Sequence, residues 1–137
     1  MYSDGRALEQ LTRNECLRFI ASVRVGRVIY TRQALPAVEL VNFALDDGDI
    51  VVRTDPGGKL AAAARGAVVA FEADSLDIDR RAGWSVTAIG PSQEVTDPDE
   101  VGRLGQLGLS SWVPGDREHF IRISPGILNG RWLSARG

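Results

Sequence analysis

The sequence predicts a mostly β protein, an antiparallel barrel or sandwich of about six strands with three short helices at its margins. Three observations carry this reading. The first five strand-like runs follow one another with only turns or one short helix between them, where a doubly wound sheet would interleave long helices. The "DDGD" stretch at 46–49 divides two β-rich runs as a hairpin turn does. In "VGRVIYT" (25–31), Val25, Arg27, Ile29 and Thr31 alternate with Val28 and Tyr30, the two-residue period of a strand.

The elements follow in order. Residues 1–10 are polar and mixed and read as a lead-in arm to a single domain spanning 1–137. "TRNECLRFIASV" (12–23) carries a capping box, Thr12 with Glu15 three residues on, and places Leu17, Ile20 and Ala21 on one helical face. Strands are expected at 25–31, 36–45, 50–54, 67–74 and 83–95, the last with a bend at Gly90-Pro91. Asp97 followed by Pro98 starts a glycine-weakened helix over 97–108. "EHFIRISPGILNGRWL" (118–133) reads as a final strand and its extension.

Composition removes several function classes. A net charge of -2 argues against a nucleic-acid binder, although a local basic pocket is still allowed. Cys16 has no second cysteine to pair with, and His119 is the single histidine, so a Cys/His zinc site is not expected. No run is apolar enough to span a membrane, and the N-terminus lacks the apolar stretch of a secretory signal. A cytoplasmic protein is the expectation.

One stretch stands apart. "RTDPGGKLAAAARGAV" (53–68) contains Lys59, the only lysine in a chain whose other cations are all arginine. The prolyl-diglycine bend lets a ligand approach the backbone at Gly57 and Gly58, and about two turns of helix are expected to follow. A helix start offers free N–H groups, so Arg53, Thr54 and Lys59 can converge on one phosphate as a planar fork, a hydroxyl and a point charge. The spacing is neither a Walker loop nor G-x-G-x-x-G. A solvated turn ahead of a surface helix is the equally weighted alternative.

Five pieces in one order, "CLRFIASVRVGRVIY", "PAVELVNFALDDGDIVVRT", "GGKLAAAARGAVVAFEAD", "GWSVTAIGPSQEV" and "FIRISPGILNGRWL", make the chain resemble the pyridoxamine 5'-phosphate oxidase-like family of flavin-binding split barrels. The resemblance runs from about Leu11 to Leu133 and is nearest the small, single-domain branch that includes nitroimidazole-reductase-like proteins. It implies a six-stranded antiparallel split β-barrel with short flanking helices, working as a homodimer with flavin mononucleotide (FMN) in a groove between subunits. By position it implies a phosphate grip from Arg53, Thr54, Gly58, Lys59 and Leu60. It puts Glu39, Leu40, Val41, Asn42 and Phe43 beside the flavin ring, and it brings Trp84 and Ser85 to the flavin, often from the partner subunit.

Blander readings stand beside these. Asn42 is equally a satisfied strand amide, and Trp84 equally a packing residue. Asp74 with "DSLDIDRR" reads as a solvated loop, Arg131 as a structural ion pair or strand cap, Trp112 as a loop anchor, His119 as a strand-edge histidine and Cys16 as core. The Arg/His-containing C-terminal segment by which true pyridoxamine-phosphate oxidases recognise substrate is not found after Trp132, so oxidation of pyridoxine phosphate is not expected. No catalytic residue is identified. The resemblance implies an FMN-dependent oxidoreductase acting on a small molecule by hydride transfer at flavin N5. The alternatives are a deazaflavin-dependent enzyme of the same fold and a non-enzymatic flavin sensor.

Overall fold

The computed structural model describes residues 6–55, 57–109 and 119–135. Eight strands occur among them: β1 (Arg6–Gln10), β2 (Val25–Arg32), β3 (Leu35–Asp46), β4 (Asp49–Arg53), β5 (Val68–Asp77), β6 (Ala82–Glu94), β7 (Phe120–Ile123) and β8 (Ile127–Ala135). Three helices accompany them, α1 (Arg13–Ala21), α2 (Lys59–Ala63) and α3 (Pro98–Leu104), the last running into a 3₁₀ turn at Gly105–Leu107. Every pairing is antiparallel. The sheet order β1-β8-β6-β5-β2-β3-β4-β7, with β7 returning to β6, closes β2, β3, β4, β7, β6 and β5 into a six-stranded barrel. β8 and β1 extend it. None of the helices is long and apolar enough to cross a membrane.

Local chemistry accounts for most boundaries. Thr12 caps α1 by accepting from the Glu15 amide, and the Glu15 carboxylate takes the Thr12 amide at 2.9 Å. Asp97 caps α3 with Pro98 in its first turn. Asp47 and Gly48, with φ of 52° and 81°, make the tight β3–β4 hairpin. Gln33 and Ala34 turn β2 into β3 with the same left-handed geometry and none of the usual turn residues, so that hairpin carried no sequence signal.

Two expectations are corrected. Residues 6–10 are not simply a lead-in: β1 pairs with β8 from Arg6↔Ala135 to Gln10↔Arg131. Backbone pairing to a distant edge leaves no local pattern to read. The expected strand at 118–133 is two strands, because Ser124-Pro125-Gly126 interrupts it. β7 pairs with β6 at Ser92↔Ile123 and β8 pairs with the same edge of β6 at Ile89↔Ile127. The register slips by one residue between them, the signature of a bulge. There β7 stays in the barrel against β4 while β8 splays away to β1.

The barrel interior is apolar. Phe71, Val28, Ile50, Val86 and Ile121 are fully or almost fully buried, and Phe43 meets Phe71 edge-on with centroids 4.7 Å apart. α1 packs across this core through Cys16 and Ile20, both wholly buried. Burial raises the Cys16 thiol pKa, with Glu15 adding to the rise, as befits an inert core residue. A second, smaller cluster of Val51, Val95, Leu104 and Phe120 lies beneath α3.

Arg122 binds the elements around that smaller cluster. Its guanidinium lies 2.8 Å from Asp46, 3.2 Å from Asp49 and 2.8 Å from Glu100, while Arg103 adds a two-pronged contact to Asp46 at 2.9 and 3.1 Å. The β3–β4 hairpin, α3 and β7 are thereby tied at one point.

Two predictions follow from these contacts. A Cβ at Gly90 would stand 1.7 Å from the Ser124 carbonyl oxygen, whereas one at Gly102 meets nothing within 4 Å. Gly90→Ala should therefore lower unfolding free energy by more than about 2 kcal/mol. Gly102→Ala, inside α3, should raise it by about 0.5–1 kcal/mol in the same urea titration. The second concerns Asp46, whose carboxyl the Arg103 and Arg122 hydrogen bonds hold down from 3.8 to about 2. A depressed acid stabilises the fold above its unfolded pKa and loses that contribution as pH falls through the folded one. Urea midpoints measured between pH 4 and 2 should fall more steeply for the natural protein than for Asp46→Asn.

Candidate functional site

β3 sets the geometry. From Leu35 to Asn42 it pairs with β2 on one side. β4 pairs with it on the other side only from Phe43 to Asp46. The Phe43 amide donates to the Arg24 carbonyl at 3.1 Å, so the odd residues Glu39 and Val41 turn their backbone groups toward β2. Those of Val38, Leu40 and Asn42 face the opposite edge. Beyond Asn42, which falls opposite Arg53 at the end of β4, that edge has no β4 neighbour, because the chain there turns into α2. A short length of sheet edge thus lies beside the bend that carries Lys59.

The bend differs from its sequence reading. The Asp55 side chain accepts from the Gly57 amide at 3.1 Å and its carbonyl accepts from the Gly58 amide at 2.9 Å, so both amides are already engaged. α2 is five residues long, not two turns, and ends at Ala64. A helix this short brings little dipole to an anion. What remains for a phosphate is the exposed Lys59 side chain and the steric openness of Gly57, where an added Cβ would meet only Asp55, at 3.9 Å. Leu60 is 1% exposed and anchors α2 to the core, which leaves only its backbone for any ligand.

Glu39 faces this bend. Burial raises its pKa, Asp55 adds to the rise, and the Tyr30 hydroxyl and Lys59 oppose it. The Tyr30 hydroxyl lies 3.5 Å from the Glu39 carboxylate. Leu40 is half exposed on the outer face and Val41 is buried in the core.

A second group lies one step along the same strands. By register Asn42 falls opposite Arg53, one pair beyond Phe43↔Val52, and both project to the outer face. Arg53 donates to the Leu109 carbonyl at 2.9 Å. Asn42 and the backbone through Leu45 line an open cavity of about 560 Å³ with Arg24 and Leu107–Leu109. Thr54 is buried at 6% exposure, its amide bonded to the His119 carbonyl, so its hydroxyl is not on the open surface.

Trp84 and Ser85 part company. The Trp84 ring turns inward against Phe19, with centroids 5.2 Å apart. Ser85 turns outward. It pairs with Asp74 on β5 and Arg131 on β8, while Asn42 pairs with Val25 on β2; the β2–β5 ladder ends at Arg27↔Glu72, short of joining the two rows. His119 stands 2.9 Å from the Glu94 carboxylate without hydrogen-bond alignment, at the β6–β7 edge. Trp112 lies outside the described residues.

One charged cluster escaped the sequence reading. Asp74 is not in a loop: β5 continues to Asp77 and pairs fully with β6. Glu72 and Asp74, two residues apart on that strand, face Arg27 at 2.9 and 3.6 Å. Burial, then the adjoining Asp74 carboxyl, push Glu72 up to about 7. The "EAD" spacing places both acids on one strand face, but the arginine comes from β2 and only the fold shows it.

The outer face of the sheet also carries an apolar row. Val38, Ile29, Ala70, Ile89 and Ile127 are successive register partners across β3, β2, β5, β6 and β8. Val38 is 65% and Ile127 53% exposed.

Known proteins share this architecture. The family model for pyridoxamine 5'-phosphate oxidase matches residues 12–132. The uncharacterised protein Rv0080 of Mycobacterium tuberculosis is 43% identical over 131 residues, covering 92% of this chain and 86% of the relative. A pyridoxamine 5'-phosphate oxidase candidate from Corynebacterium glutamicum superposes with a TM-score of 0.82 at 32% identity over 95% of both chains. The FAD binding protein of Mycobacterium smegmatis gives 0.72 at 28% identity, over 92% of this chain and 98% of that one. A closed six-stranded antiparallel barrel, a family match spanning both the Lys59 bend and the β3 edge, and close structural relatives together place this chain in the pyridoxamine 5'-phosphate oxidase family.

Proposed function

We propose that the chain is a flavoprotein, an FMN-dependent oxidoreductase that handles a small molecule. The observation that carries this reading is the β3 edge at Val38–Leu40, which β4 does not reach, beside the one lysine-bearing bend. Backbone N–H and C=O groups of Val38 and Leu40 suit the alternating donors and acceptors of a flavin's pyrimidine edge. Lys59 suits its phosphate as a point charge. When bound, the flavin supplies hydride exchange at N5. The chain's part is to hold the phosphate, orient the ring edge-on to β3 and stabilise negative charge with fixed N–H donors.

The match to an M. smegmatis protein named for FAD favours a second reading, in which the same clamp holds the flavin half of the dinucleotide. Mass spectrometry of the co-purifying cofactor separates the two.

The apolar row from Val38 to Ile127 supports a homodimer built face to face on this sheet. Ser85 and Asn42 both lie on that face, so a two-fold pairing can carry Ser85 and the Trp84 backbone toward the partner's β3 edge.

Two measurements test this. Lys59→Ala should weaken FMN binding about tenfold or more, since hydrogen bonds to charged groups contribute about 1.5–3 kcal/mol, whereas Arg32→Ala at the β2–β3 turn should leave it unchanged. An unaltered dissociation constant in a fluorescence-quenching titration of Lys59→Ala would sink the phosphate assignment. Val38→Arg should convert a dimer to a monomer by light scattering and weaken FMN binding in the same protein; a dimer persisting in that variant contradicts the shared face.

A further inference from the structure

The outer face of the sheet carries a charged cluster set into its apolar surface. Arg27 on β2 lies 2.9 Å from Glu72 and 3.6 Å from Asp74, both on β5. Apolar side chains bracket the three. Ile29 and Ala70, two residues along the same strands, belong to the row from Val38 to Ile127. Leu40, half exposed, is the β3 partner of Arg27, and the exposed Leu76 stands two residues beyond Asp74. β6 sets two neutral groups beside the acids, Thr87 opposite Glu72 and Ser85 opposite Asp74. Arg131 lies one strand further, opposite Ser85. A dimer built on this face has to cover the cluster. The apolar row crosses five strands, about 20 Å at ~4.8 Å per step. A stable interface covers about 800 Å² of each partner, so over that width it runs about 40 Å along the strands. The ten residues of β5 span only about 33 Å, so the rows on both sides of Ala70 are taken in.

With both acids ionised the cluster carries one net negative charge, and a two-fold axis repeats it on the facing chain. Taking that charge out of water is costly, and the two copies repel. One proton shared by Glu72 and Asp74 leaves Arg27 balanced by a single carboxylate and removes both penalties. Burial within the single chain already pushes Glu72 up to about 7, with Asp74 adding to the rise and Arg27 opposing it. Covering the face strengthens the same desolvation. We infer that pairing of the two sheet faces draws one proton from solvent onto each Glu72–Asp74 pair, making the dimer tight in mild acid and weak in mild alkali. The inference rests on the face-to-face dimer of the proposed function, and no part of it depends on the flavin.

The test measures the dimer dissociation constant by sedimentation of dye-labelled protein at about pH 6, 7 and 8.5. The natural protein is compared with Glu72→Gln and Asp74→Asn. Each is also made with Val38→Ala, which trims the apolar row and keeps a tight constant within measurable range. Two protons taken up per dimer should raise the natural protein's dissociation constant about tenfold or more from the acid to the alkaline end. Glu72→Gln keeps an uncharged partner for Arg27 and should hold the constant near its acid value throughout. Asp74→Asn leaves Arg27 balanced by Glu72 alone and should flatten the profile likewise. A flat profile in the natural protein, or an equally steep one in Glu72→Gln, overturns the inference and leaves the dimer standing. A natural protein that is monomeric at every pH overturns the dimer and the inference with it.

Discussion

The closure of the barrel depends on how closely β6 and the β7–β8 strand approach at Gly90. β6 must hold β5 along one edge and, along the other, first β8 and then β7. The partner strand changes direction at Ser124–Gly126, where the Ser124 carbonyl fills the space a side chain at Gly90 would need. With that contact, β7 can turn in against β4 and complete the ring, while β8 turns out and gathers β1. A side chain at 90 would push the two halves of the strand apart, and the barrel would open along β6.

The candidate site follows from the other end of the same ring. β4 is short because it is held at one end by the Arg122 network and released at the other into the Lys59 bend. β3 is much longer and extends past the end of β4, still paired to β2. An edge strand inside a closed barrel is unusual exposure for backbone donors and acceptors. Burial above all raises the Glu39 pKa at this corner, Asp55 adding to the rise and the Tyr30 hydroxyl and Lys59 opposing it.

Much of this was legible in the residues. The capping box at Thr12 and Glu15, the Asp97-Pro98 start and the "DDGD" hairpin each appear where local chemistry placed them, whereas β6 runs unbroken through Gly90-Pro91 and the extra residue of the bulge lies on the facing strand at Ser124–Gly126. The Gln33-Ala34 hairpin and strand β1 were not legible, because one uses residues that seldom adopt positive φ and the other owes its existence to pairing with β8. At the site, Lys59 and the 39–43 strand drew attention from sequence. The engagement of the Gly57 and Gly58 amides by Asp55, the inward turn of Trp84 and the meeting of Arg27 with Glu72 and Asp74 did not.

The sequence by itself determined the antiparallel class, the succession of most strand segments along the chain and the singular lysine at a glycine bend, because propensity, period and turn chemistry act over a few residues. The tertiary structure decided which strand lost its neighbour, which ring faced inward and which charges met. Those outcomes depend on register across strands distant in the chain, where shifting one residue exchanges the two faces of a strand, and no local pattern encodes that choice.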